Sequence, residues 1–394
     1  MTFSPNIPPL SLWLLAGSFT CLLLLAAIYF FRFRTVHTYR RRADRERPDK
    51  PEADYMPASV IVCSQGDAEN LEQLLNTLLN QDYPCAYEVI VVNEGESADV
   101  KDVVAMLRPK HQNLYLTFTP EGVVNLSRKK LALTLGVKAA RYDIAVLTTT
   151  AAEIMSDKWL RRIMFRFNRG NDVDIVLGYA YIDPTEDSKR GKRRRAFDYV
   201  AESMRWLGVA VAKKPFRGTE YNLAYRKSVF LKNKGFARSL NLRYGDDDIF
   251  ISEISNGKNT QIELSDESMV RIRYGNHPRL SKERTFRRFT TESHIRRRPR
   301  FLMGLTGLLQ IAAIASGTAA AVESYPNMQA AAIALAIIVL MLALDISTWR
   351  KSMAALKSRK LLLTIPYFSI TYPLHRACQR IRARLSKGKK YTYE

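Results

Sequence analysis

The sequence predicts an α/β protein, a parallel sheet with helices on both faces, carrying an N-terminal transmembrane helix and a C-terminal transmembrane hairpin. Three observations lead to that reading. Between residues 58 and 150, short β-branched runs alternate with stretches of helical periodicity. One long uncharged apolar run precedes this segment and two follow the soluble middle. The chain is strongly basic, with a formal net charge of +23 over 394 residues, and the excess gathers beside the apolar runs.

Leu12–Phe31 is wholly apolar or uncharged. At 1.5 Å rise per residue it reaches roughly 30 Å, the thickness of a bilayer core. A cleaved signal peptide would place basic residues before the run and small residues after it. Here Arg32, Arg34 and Arg40–Arg42 follow instead, which reads as an uncleaved anchor over 1–31. Residues 32–57, with Pro48, Pro51 and Pro57, read as a basic juxtamembrane linker. Ser59–Cys63 is then a strand, Ala68–Leu79 a helix with leucines at helical spacing, Tyr87–Val92 a strand and Asp99–Leu107 a helix. Leu114–Phe118, Ser127–Ala140 and Ile144–Leu147 continue as strand, helix and strand. Lys189–Arg195 reads as an exposed basic loop, and 284–300 as a second basic juxtamembrane segment.

Phe301–Val322 and Met328–Leu344 form the hairpin assigned to 301–348. Its first arm is rich in small residues such as Gly304, Gly307 and Gly317, which suits close helix packing. In the basic tail, 349–394, the segment 361–374 is too short to span and carries Pro366 and Pro373, which suits an interfacial position. Five short stretches hold the whole charge excess: 32–50, 189–195, 284–300, 350–360 and 376–394. The rest of the chain is slightly acidic, so the charge marks the cytoplasmic flanks of membrane segments, not a nucleic-acid-binding face. Cys21, Cys63, Cys85 and Cys378 are too scattered for a disulfide framework, and a reducing compartment fits. His37, His111, His277, His294 and His375 show no metal spacing.

In parallel sheets ligands bind beyond the carboxyl ends of the strands. There the chain reads Ser64-Gln65-Gly66-Asp67 and Asn93-Glu94-Gly95-Glu96-Ser97, with no phosphate-binding glycine fingerprint. Asp67 and Glu94 either hydrogen-bond a nucleoside or cap the helices that follow. Asp246-Asp247-Asp248 is either a capping acidic loop or a cluster in which mutual repulsion raises one pKa into the range of a general base.

Several strings are more specific. ASVIVCSQGDAENLEQLLNTLLNQDYP, YEVIVVNEGESADV, SRKKLALTLGVKAARYDIAVLTTTAAEIMSDKWL, GTEYNLAYRKSVFLKNKGF and GDDDIFI occur in this order between 58 and 252. In that order they resemble a family-2 glycosyltransferase with the GT-A nucleotide-sugar fold, a mixed and mainly parallel sheet, over 58–283. The resemblance implies a nucleotide-sugar-dependent hexosyltransferase that inverts the sugar. Asp247 aligns with its base and Asp246 with the preceding acidic position. Asp67, Glu94, Lys129, Lys130 and Thr150 fall on the donor-binding side, and Asn222 and Arg226 on the acceptor side. It also implies a divalent cation, Mg²⁺ or Mn²⁺, and no organic cofactor.

One departure stands out: the metal motif expected after Leu147 reads Thr150-Ala151-Ala152, leaving the adjacent Glu153 as the metal candidate. Weakened or absent metal binding is expected, with Arg128, Lys129, Lys130, Arg226-Lys227, Arg287-Arg288 and His294–Arg298 available to neutralise a diphosphate. The Gln-x-x-Arg-Trp string of processive members is absent; the nearest, Thr285–Phe289, lacks both Gln and Trp. The expected partners are a nucleotide-sugar donor, a lipid-linked or glycan acceptor of the cell envelope, and membrane lipids, with no nucleic acid. The expected place is the inner membrane, multi-pass, with the catalytic domain cytoplasmic. Two alternatives stay open: a non-catalytic homologue that binds glycan, nucleotide or a partner protein, and a processive polysaccharide synthase.

Overall fold

The computed structural model describes residues 8–48, 55–64, 66–95, 97–120, 126–169, 172–185, 191–273, 280–295, 301–325 and 328–385. The chain opens with α1 (Pro9–Ile28), passes a single π-helical turn at Tyr29–Phe33 and continues as α2 (Arg34–Arg45). The alternating segment follows as β1 (Ala58–Ser64), α3 (Ala68–Leu78), β2 (Tyr87–Asn93), α4 (Ala98–Leu107), β3 (Leu114–Phe118), α5 (Arg128–Ala139) and β4 (Ile144–Thr149). Each lies within two residues of its expected bounds. Then come β5 (Ala152–Ile154), α6 (Trp159–Phe167), β6 (Ile175–Leu177), β7 (Ala180–Ile182), α7 (Lys192–Val211), β8 (Leu223–Arg226) and α8 (Lys227–Lys232). The short elements α9 (Ile249–Ile254), β9 (Thr260–Ile262) and β10 (Val270–Ile272) lead to α10 (Leu280–Thr291). Three long helices end the chain: α11 (Phe301–Glu323), α12 (Met328–Ala355) and α13 (Ile365–Leu385).

The chain divides into two compact units: 1–37 with 189–208 and 297–380, and 38–188 with 209–296 and 381–394. These bounds differ from the expected single soluble span of 58–283. Thr38–Glu46 folds onto the sheet unit, where Tyr39 donates to the Ile262 carbonyl (2.8 Å) and Arg162 to the Glu46 carbonyl (2.7 Å). Of the expected loop Lys189–Arg195, Lys192–Arg195 instead opens α7, which groups with the long helices as far as Gly208, while Lys189 and Arg190 lie outside the described residues. Gly191 and the helix start explain the change: the basic run supplies the first turn of an amphipathic helix.

In the sheet unit the larger sheet has the order β3-β2-β1-β4-β8-β6-β9. β1, β2, β3 and β4 are parallel, whereas β8 runs antiparallel to β4 and β6, so the sheet is mixed and mainly parallel. Every residue of β1 is buried, as its unbroken run of small and apolar residues requires of a strand covered on both faces. Gly136 lets α5 lie against it; a Cβ there would sit 2.6 Å from Ile61 Cγ2 and 3.0 Å from Val92 Cγ2. A smaller sheet, β5-β10-β7, carries the continuation of the chain past β4. The register sets Cys63 beside Thr149 and Ser64 beside Asn93, so β1, β2 and β4 end level with one another.

In the helical unit α1, α11 and α12 are long and apolar enough to cross a membrane. The small residues pack as expected. Ser18 Oγ donates to the Ala313 carbonyl (2.9 Å), and Gly307 leaves space for Pro373, whose Cγ would lie 2.2 Å from a Cβ. Asp345, fully buried on α12, accepts hydrogen bonds from Tyr29, from Gln310 (2.8 Å) and from Trp349 (3.0 Å), and Gln310 also bonds Ser369 of α13. Of residues 361–374, expected to be interfacial, those from Ile365 onward enter a helix that runs to Leu385 with Pro373 in its interior.

Candidate active site

The level carboxyl edge of β1, β2 and β4 brings four loops together. After β1, Gly66 adopts a left-handed φ of +95° and hands the chain to α3 at Asp67. Asp67 occupies the cap position, yet its carboxylate makes no backbone cap bond and instead accepts from the Asn70 amide. After β2, the Glu94 amide donates to the Ser64 carbonyl (2.8 Å), while Asn93 closes the loop onto both backbone groups of Ser97. Cys63 lies under this edge. Burial pushes its thiol well up, Glu94 and Asp246 push further, and Lys129 opposes them, so all three charges act on the end of one strand.

Ser127 caps α5 through the Lys130 amide (3.4 Å), aiming the next basic residues at the edge. Lys129 ion-pairs with Glu220 and, at 3.1 Å, with Asp246. Lys130 does something else. It is fully buried, and its ammonium donates to the carbonyls of Leu242 (3.0 Å), Tyr244 (2.8 Å) and Ser239. Burial lowers its pKa to about 8 against the pull of Asp246 and Asp248. An ammonium has three protons, and three carbonyls take them. Lys130, expected on the donor side, is therefore a strut that shapes residues 239–244 ahead of the acidic turn.

Gly245 (φ +112°) starts that turn, where a Cβ would meet Ile249 Cδ1 at 2.5 Å. The three carboxylates that follow have three different environments. Asp246 is buried between Arg287 (2.6 Å) and Lys129; burial raises its pKa, but the two cations outweigh this and hold it well below the usual carboxylate range. Asp248 caps α9 at the Ile249 amide (2.8 Å) and is held by Arg217 (3.2 Å) and Thr291. Asp247 lies 3.1 Å from Arg287 and accepts the Glu220 amide at 3.2 Å. Burial pushes its pKa up to about 6; Arg287 pulls it down while Asp246 and Asp248 push it up.

Arg287, on α10, thus bridges Glu220, Asp246 and Asp247, and its guanidinium lies 5.6 Å from the Tyr244 ring centre. The sequence names Arg287 only as one of many cations, and it passes over Glu220. Glu220 was nevertheless visible as the only carboxylate in GTEYNLAYR.

Two expected residues lie elsewhere. Arg226 pairs in register with Ile144, at the amino end of β4, and bonds Asp143 (3.3 Å) and the Val173 carbonyl (3.0 Å). That is the opposite end of β4 from Thr149, so Arg226 is not on the acceptor side; antiparallel β8 carries it away. Asn222 is fully buried, bonded by its amide to the carbonyls of Tyr179 (3.1 Å) and Ser268 (2.8 Å), and by its oxygen to the Trp159 indole (3.2 Å). Its side chain fills the space over Gly178 and ties strands together, which leaves it no free group for an acceptor.

Residues 59–237 match the family described as glycosyl transferase family 2. This segment, a little under half of the chain, is similar to family 2 glycosyltransferase domains. Among solved structures the chain resembles the mannosyltransferase PcManGT from Pyrobaculum calidifontis, solved with GDP-Man and Mn²⁺, at 19% identity and a TM-score of 0.51 over 92% of this chain and 99% of that one. TarS from S. aureus with UDP-GlcNAc gives 14% identity and a TM-score of 0.41, covering 85% and 93%. Glucosyl-3-phosphoglycerate synthase from Mycobacterium tuberculosis with Mn²⁺ and UDP gives 14% and 0.40, covering 61% and 80%. No curated protein sequence matches the chain. The mixed sheet and the PcManGT likeness identify the fold as GT-A.

The turn after β4 is where the family resemblance implies metal-binding carboxylates. Thr150 is buried and Ala152 is fully enclosed in β5, and neither is an anionic ligand. Glu153 faces Arg271, whose Nε and terminal nitrogen approach its Oε2 at 2.7 and 2.5 Å, with Arg273 Nε 3.9 Å away. An oxygen already shared between guanidinium donors and flanked by two positive charges is not a ligand for a divalent cation. Among the described residues no group of three His, Cys, Asp or Glu side chains is set to hold a metal ion. The residues at this turn do not fit the Mg²⁺ or Mn²⁺ that the family resemblance implies, and Glu153 is corrected from metal candidate to ion-pair partner.

Proposed function

We propose that the protein is a membrane-anchored transferase moving one hexose from a nucleotide-sugar donor to a hydroxyl of a lipid-linked or cell-surface glycan, with Asp247 as general base. The observation behind this is the division of labour in the acidic turn. Asp246 is neutralised by two cations and Asp248 is spent on a helix cap, whereas Asp247 shares one cation and has a pKa near 6. A base whose pKa lies near the working pH takes up a proton while still being ionised enough to act. The acceptor oxygen attacks the anomeric carbon as its proton passes to Asp247. The bond from that carbon to the diphosphate oxygen breaks, and the diphosphate leaves with the bonding electrons, inverting the centre.

Asp67, Glu94 and Thr150 belong to the donor side of this reading, on the carboxyl edge where such sheets bind ligands. Lys129 and Arg287 hold the acidic turn. Three spans and the missing Gln-x-x-Arg-Trp string support single transfer over processive synthesis. Basic flanks at 32–50, 284–300 and 350–360 support a cytoplasmic catalytic domain at the inner membrane. The uncharged turn at 150–152 favours one rival, a non-catalytic homologue.

Purified full-length protein in detergent, given a panel of nucleotide sugars and acceptor lipids, separates the two. Transfer that Asp247→Asn abolishes while nucleotide binding persists supports the enzyme. Nucleotide binding without turnover from any donor, with or without Mn²⁺, supports the rival.

A further inference from the structure

The turn that cannot hold a metal is bordered by arginines. β10 pairs with β5, setting Arg271 opposite Glu153, and the chain leaves β10 at Arg273. The Arg273 amide donates to the Ala151 carbonyl at 2.9 Å, which pins the residue to the turn. Its side chain crosses to the first turn of α3, where a terminal nitrogen bonds Asn70 Oδ1 at 2.5 Å. Asn70 in turn bonds Asp67. The guanidinium therefore spans from the loop after β4 to the loop after β1, across the edge that the donor would occupy.

Four other cations near this edge have partners of opposite charge or fill their donors. Lys129 and Arg287 meet Glu220 and Asp246, Lys130 meets three carbonyls, and Arg271 meets Glu153 and Asp183. Arg273 differs. Its hydrogen-bonded partner is a neutral amide, and its Nε, buried, has no hydrogen-bond partner among the described residues. Glu153 is 3.9 Å away and already held by Arg271. Arg273 thus carries a positive charge, fixed by its backbone at the motif position, that no carboxylate fully matches.

A diphosphate needs either a cation or a fixed guanidinium, and a guanidinium can grip two phosphate oxygens at once. We infer that Arg273 takes the place of the metal in this domain, so that a nucleoside diphosphate binds at the 150–152 turn without a divalent cation. The inference rests on the nucleotide-sugar reading above and deepens it. It separates Arg273 from Arg271, which holds the strand pair together.

Titration calorimetry of the full-length protein in detergent, with UDP and with GDP as probes, tests it. With EDTA present, one of the two should bind, and Mn²⁺ should change the Kd by no more than about twofold. Arg273→Gln, which is shorter but keeps a polar amide and removes the charge, should weaken binding about tenfold to a hundredfold. Arg273→Lys should recover part of the loss, and unchanged melting temperatures separate lost binding from lost fold. Binding that appears only with Mn²⁺, or that is unaltered in Arg273→Gln, overturns the inference and leaves the nucleotide-sugar reading standing. Binding of neither probe under any condition overturns both.

Discussion

Asp247 and Arg287 form a contact whose two members have opposite effects on a proton. Arg287 lowers the Asp247 pKa, and burial with the neighbouring carboxylates raises it to about 6. A general base acts when ionised, so the role proposed for Asp247 predicts a kcat/KM that falls as pH drops through about 6 and levels off above it. Arg287→Gln removes the stabilising charge and should move that acid limb to higher pH; an unmoved limb would assign the titration to another group. Asp247→Asn should lower kcat by about 10² to 10⁴ with donor affinity retained. The triplet itself was visible in the sequence, but its three roles were not. Adjacent aspartates look alike until Lys129, Arg217, Thr291 and Arg287 arrive from distant segments to distinguish them.

Among the elements, α5 and α10 matter most to the site. α5 was readable from its periodicity, and its close approach to β1 depends on Gly136. Gly136→Val should overpack against Ile61 and Val92 and cost about 1–3 kcal/mol, seen as a lower melting temperature with no shift in the pH profile. The α10 segment was expected as a basic membrane flank or as a source of cations for a diphosphate, because charge runs beside apolar segments allow either. In the fold it instead delivers Arg287 and Thr291 to the acidic turn. β8 shows the converse. NLAYR was legible as family-like, but sequence order does not reveal strand direction, and an antiparallel β8 buries Asn222 and sends Arg226 to the far end of the sheet. β10 was hidden by its three-residue length, although arginines two apart in VRIRY place two cations on one face of a strand.

At the scale of the molecule, three helices can each cross a bilayer, and the chain should stay in the membrane pellet after alkaline carbonate washing. Release by carbonate would count against the anchor. Within the helical unit, Asp345 collects donors from three other side chains that would each lose a partner without it. Asp345→Asn keeps the accepting oxygen and should be tolerated. Asp345→Leu strands buried donors at about 1–3 kcal/mol each and should lower the melting temperature in detergent. Equal effects of the two substitutions would rule out that account. Residues 38–46 and 191–208 also exchange the allegiances their sequence positions suggest, because packing partners, not chain order, decide which unit a helix joins.

The sequence alone determined the strand–helix alternation, the three apolar spans, the localisation of the +23 charge and the missing carboxylates at Thr150–Ala152. These are local properties: periodicity, hydropathy and composition act through neighbours along the chain. Only the tertiary structure decided that Lys130 is a strut, that Glu153 is committed to Arg271, that Arg226 lies at the wrong end, and that Arg273 stands at the turn where a metal was expected. The reason is physical. A charge acquires its role from the burial and the partners around it, and those partners come from segments that sequence distance cannot bring together.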